Sequence, residues 1–127
     1  MATIRSYTTV EQSKKLAEIL PLESADMYYH NRVDIPDNFP LPIEWKHNNP
    51  LLSQEIPCWS LAALMDVIPY NVSFNKAVYR FKMVKYSEHW ECYHENFGSV
   101  STEIFKGDNQ IDACVAMIEK LHEQNLM

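Results

Sequence analysis

Cys58 and Trp59 stand together in "IPCWSLAALMDVIP", residues 56–69, just ahead of a stretch with helical spacing. A cysteine followed by tryptophan at a helix start is how papain-like hydrolases present their nucleophile. His89 and His94, downstream, are the histidines available as its base. That chemistry needs a thiolate, which the unpaired N–H groups and dipole of a helix N-terminus stabilise when the cysteine lies in the first turn. Two registers compete. With Pro57 as the first helical residue, Cys58 falls in the first turn, but Ile56 is then a poor N-cap. With Ser60 as the N-cap, Cys58 lies outside the helix, and Trp59 and Leu64 occupy the two positions of a hydrophobic staple. Both local rules favour the second register. The approach "EIP" lacks the small residues expected beside such a nucleophile, and Pro57 removes an N–H from any oxyanion site. Cys58 is therefore expected to be a packed thiol. A small cysteine hydrolase using Cys58 with His89 or His94 is the opposing reading.

"HWECYH" holds His89, Cys92 and His94, with Glu91 between them, all legitimate zinc ligands. On a strand, His89, Glu91 and Tyr93 face one way and Trp90, Cys92 and His94 the other. His89 and Cys92 then cannot share an ion, and a Cys92/His94 pair needs two ligands from elsewhere. A hairpin without metal is the simpler expectation. "ESADMYYH" offers Glu23, Asp26 and His30 for acid–base work, although a polar surface loop accounts for them equally well. Trp45, Trp59 and Trp90 suggest a third possibility, a small-ligand module with a tryptophan-lined pocket. Phosphate cradles, nucleophile elbows and dinucleotide fingerprints are missing, and Gly98 and Gly107 are too far apart for a glycine-rich loop. No cofactor is expected.

The elements that must position these residues are legible in part. Thr8 and Glu11 match a capping box for a first helix with Val10, Leu16, Ala17, Ile19 and Leu20 on its apolar face, ended by Pro21. Ser24 to Tyr29 reads as a helical turn, and "PIEWK" as a short edge strand in a proline-rich stretch. Leu61, Leu64, Met65 and Ile68 form the stripe of a second helix. From Val78 to Tyr86, Tyr79, Phe81 and Met83 alternate with Arg80 and Lys82, which predicts a strand. A turn near Ser87-Glu88 leads to a return strand over Trp90 to His94, and "VSTEIF" reads as a third strand. Asn109 caps a last helix with Ile111, Cys114, Val115, Ile118 and Leu121 on one stripe and Asp112 in the first turn.

The 127 residues suit one α+β domain over residues 1–127, with about three helices on a small antiparallel sheet drawn mainly from residues 77 to 105. The expected core comprises Leu16, Leu20, Trp59, Leu61, Leu64, Met65, Ile68, Tyr79, Phe81, Cys114, Val115 and Ile118. Eleven basic against seventeen acidic residues give a net charge of −6. No basic stripe stands out, so neither nucleic acid nor a membrane surface is an expected partner. The beginning of the chain has no apolar signal region, and no run reaches the length of a membrane span. Three cysteines, an odd number, point to a reducing cytoplasm rather than a disulfide framework.

Three blocks, "YTTVEQSKKLAEILPLESADMYY", "PCWSLAALMDVIP" and "DACVAMIEKLHEQNLM", carry a resemblance to a family of small proteins from Bacteroides-type gut bacteria and their phages and prophages. The resemblance implies a bacterial cytoplasm and an origin on phage or mobile DNA. It implies no activity and no site residues. The expected function is non-enzymatic: binding another macromolecule, a protein partner or a second copy of the chain.

Overall fold

In a computed structural model, the described residues are 6–30, 40–43, 51, 55–74, 76–97, 99–100 and 103–127. They form the expected α+β fold, with three helices and two small antiparallel sheets. The chain divides into two compact units, one from Ser6–Leu64 and the other chiefly from Met65–Met127.

The first unit holds helix α1 (Val10–Ala17), a short 3-10 turn (Leu22–Ser24) and strands β1 (Met27–Tyr29), β2 (Pro40–Pro42) and β3 (Ile56–Cys58). The sheet order is β2-β1-β3, antiparallel throughout, with Tyr28 opposite both Leu41 and Pro57. Proline donates no ladder hydrogen bond, and this order puts Pro40, Pro42 and Pro57 on the two edge strands around a proline-free centre. The helical turn expected over Ser24–Tyr29 is a correction: the turn ends at Ser24, and the aromatic run that follows is the central strand. Most of "PIEWK", with Trp45, lies outside the described residues.

The capping box of α1 is one residue later than the sequence suggests. Thr9 is the N-cap, its hydroxyl accepting from the Gln12 N–H at 3.1 Å while Gln12 Oε1 accepts from the Thr9 N–H at 3.0 Å. Thr8 cannot serve, because its hydroxyl is buried and occupied elsewhere. Helix α2 (Leu61–Val67) begins as expected, with Ser60 Oγ accepting from the Ala63 N–H at 3.2 Å. Leu64 and Ile68 are buried, but Leu61 is only half-buried and Met65 is exposed, so the buried stripe is narrower than expected.

The second unit holds strands β4 (Asn71–Phe74), β5 (Ala77–Lys85), β6 (Trp90–Asn96), β7 (Ser99–Val100) and β8 (Phe105–Gly107), with helix α3 (Gln110–Glu123). The order is β4-β5-β6-β7, and β8 also pairs with β6. Lys85 opposite Trp90 closes the β5–β6 hairpin, with the Tyr86 N–H donating to His89 O at 2.9 Å. β4 was not expected, and the strand expected over "VSTEIF" divides into β7 and β8. Helix α3 packs on β6 and β8 and buries Ile111, Cys114, Val115, Ile118 and Leu121. Asn109 Oδ1 accepts from the Asp112 N–H at 2.9 Å, the predicted cap. A side chain on Gly107 would lie 2.5 Å from Ala113 N, so only glycine lets β8 approach the helix start this closely. β5 alternates between half-buried Tyr79, Phe81 and Met83 and exposed Val78, Arg80 and Lys82. Tyr79 and Phe81, expected in the core, thus lie at its margin. Among the described residues, no helix is long and apolar enough to cross a membrane.

Candidate functional site

Cys58 ends β3, outside α2, and is fully buried. It belongs to a cluster of buried polar groups centred on Thr8. The Thr8 hydroxyl lies 2.7 Å from Ser13 Oγ and 3.4 Å from Cys58 Sγ, and it accepts from the Trp59 N–H at 3.2 Å. The Tyr29 hydroxyl donates to Thr8 O at 2.6 Å. Burial pushes the Cys58 thiol above its ordinary pKa, against the opposing pull of hydrogen bonds from Thr8, Ser13 and Tyr29. The environment therefore favours the neutral thiol over a nucleophilic thiolate, and the side chain presents no surface to a substrate.

The two histidines proposed as its base are already engaged. His94 is buried and its Nε2–H donates to Pro69 O at 2.8 Å, a bond to a carbonyl that fixes this tautomer in the neutral ring. Phe81 meets the ring edge-on at 5.7 Å. Burial holds the His94 pKa below its usual value, partly opposed by the bond to Pro69. His89 Nε2 lies 2.7 Å from Glu91 Oε2, and its ring stacks on Tyr86 at 4.9 Å. His89 and Glu91 thus share a face, as the strand alternation requires.

Cys92 is buried on the opposite face, donating to Ala113 O at 3.3 Å. Its thiol is pushed up by hydrogen bonding to the Cys114 thiol and by burial. The three cysteines form no disulfide. No group of three or more His, Cys, Asp or Glu suited to a metal ion occurs among the described residues. The residues proposed for acid–base work are not used together. Both Asp26 carboxylate oxygens bond Ser60, to its N–H at 2.9 Å and to its hydroxyl at 2.5 Å, which secures the start of α2. His30 Nδ1 instead lies 3.5 Å from the buried Glu55 carboxylate. Glu23 is exposed. Trp59 is fully buried with its Nε1–H donating to Ser24 Oγ at 2.9 Å, so it lines no accessible pocket.

A concave surface lies elsewhere in the chain and carries no motif. Val78, Arg80 and Lys82 of β5, with Glu95, Asn96 and Phe97 at the end of β6, line a cleft of about 430 Å³. Strand alternation places the three β5 residues on one face, and the register sets Glu95 opposite Arg80. Lys82 Nζ reaches Glu95 at 3.9 Å. The Arg80 guanidinium has no ion-pair or hydrogen-bond partner among the described residues. Asn96 Nδ2 donates to Val78 O at 2.6 Å and ties the strand ends together. Phe97 is fully exposed, with its backbone in the left-handed region at φ 48°. The Asn96–Ser99 register leaves two residues, Phe97 and Gly98, to connect β6 and β7. Two-residue connections of this kind favour a positive φ, ordinarily supplied by Asn, Asp or Gly. A bulky ring at that position is strained and gains no burial in return. Sequence reasoning missed this site because its signal is small: an aromatic residue where a hairpin asks for Asn.

Comparison with protein-family models, with curated proteins and with solved structures finds no match to this chain.

Proposed function

We propose that the protein acts by binding another protein, through the cleft lined by Val78, Arg80, Lys82, Glu95, Asn96 and Phe97. The observation that carries this reading is Phe97, a fully exposed aromatic ring held on a strained backbone beside a guanidinium with no partner among the described residues. Aromatic residues and arginine are the side chains that dominate binding energy at protein interfaces. The sequestration of Cys58 and the engagement of His89 and His94 support a non-enzymatic role. The resemblance to proteins of Bacteroides-type bacteria and their phages fits a partner in a bacterial cytoplasm, and an origin on phage or mobile DNA.

Site-directed photocrosslinking tests the proposal. A benzophenone amino acid replacing Phe97 should yield discrete protein adducts in a bacterial lysate. The same probe replacing Tyr70, also exposed, should yield none of them. Identical adduct patterns at both positions, or none at Phe97, would contradict it.

A further inference from the structure

We infer that the cleft takes an acidic segment of the partner protein, with a carboxylate on Arg80 and an apolar residue next to it in sequence against Phe97 and Val78; this rests on the protein-binding reading above. The chain as a whole carries −6, yet the cleft sets two cations, Arg80 and Lys82, against one carboxylate, Glu95. Glu95 is committed to Lys82 although Arg80 is its cross-strand neighbour. Among the described residues the cation left over is therefore the guanidinium, whose planar fork matches a carboxylate through two parallel hydrogen bonds. The apolar side chains in the cleft, Val78 and Phe97, are both exposed, so the charged and apolar contacts occupy one small surface. A segment pairing Asp or Glu with an aromatic or branched apolar residue satisfies both. Nucleic acid and anionic membranes are disfavoured, because two cations release few counterions and Glu95 together with the acidic chain repels phosphates.

Selection of a random twelve-residue display library on the immobilised full chain tests this, with Phe97→Asn and Arg80→Ala variants as parallel targets. The expected result is enrichment of peptides pairing Asp or Glu with an apolar residue. Arg80→Ala should weaken the selected synthetic peptides at least tenfold, as should replacing their Asp and Glu by Asn and Gln. Peptides that depend on Phe97 but are neutral or basic, or that ignore Arg80→Ala, would overturn the acidic assignment and leave the binding reading standing. Enrichment no greater than on the Phe97→Asn target would overturn both. A dimer in light scattering that Arg80→Ala dissolves would make a second copy the occupant and overturn the assignment as well.

Discussion

The cluster around Thr8 and the cleft beside Phe97 treat polar and apolar atoms in opposite ways. In the first, every group with reactive potential is buried and bonded: Cys58 to Thr8, Thr8 to Ser13 and Trp59, Tyr29 to Thr8. In the second, a guanidinium has no partner among the described residues and a phenyl ring buries nothing. Groups satisfied by their own chain stabilise it and leave little for a ligand. Groups that the fold holds out, at some cost to itself, are available for binding. The nucleophile suggested by the sequence belongs to the first class, and the residues that best account for a function belong to the second.

The sharpest way to break this contrast is Thr8→Val. The substitution keeps the shape but strands the Ser13 hydroxyl and the Trp59 N–H, while the Cys58 thiol keeps its bond to Thr8 O, and should destabilise the fold by about 3 kcal/mol. Urea denaturation reads the effect, and a loss below about 1 kcal/mol would show that the cluster is not a stability device. His94 comes next, through pH. Burial holds its folded pKa below the unfolded value of about 6.5, so on acidification the unfolded chain takes up the proton first. This contribution to stability is complete above about pH 6.5 and is lost as the pH falls toward the folded pKa, with a slope of at most about 1.4 kcal/mol per pH unit. Comparing wild type with His94→Gln between pH 7 and pH 5 isolates it, and identical slopes would refute it. Asn109→Ala, which removes the cap of α3, should cost about 1 kcal/mol in the same assay. Cys58 sharpens the comparison by kinetics: alkylation at pH 7 should be slow in the folded protein and fast only in denaturant. Rapid modification of the native thiol would return Cys58 to the catalytic reading.

Local signals of helix ends were the most legible part of the sequence. Asn109 and Ser60 cap their helices as their types predict, because an N-cap is satisfied by atoms three residues away. Thr8 misled for the same kind of reason. Its hydroxyl is a good cap in isolation, but tertiary contacts to Ser13 and Trp59 claim it, and Thr9 takes the role. The frame that leaves Cys58 outside α2 was readable from the staple residues. The strand ending at Cys58 was not, since β3 exists only through pairing with β1, 27 to 31 residues earlier. β4 and the divided strand after Phe97 were hidden likewise, because short strands are defined by partners rather than by their own composition. The cleft could be found only after the β5–β6 register was known, because that register sets Arg80 beside Glu95.

The smallest expected effect on stability carries the most weight. Phe97→Asn places a residue suited to positive φ where a phenyl ring now stands, and should leave the fold unchanged or more stable by about 0.5 kcal/mol. Measured on the same sample, affinity for a peptide selected on the wild-type chain should fall at least tenfold. Unimpaired folding with lost binding is the outcome expected if Phe97 is kept for a partner. A marked loss of stability, or unchanged affinity, would show that Phe97 serves the fold or nothing at all, and would contradict the assignment of function to this cleft.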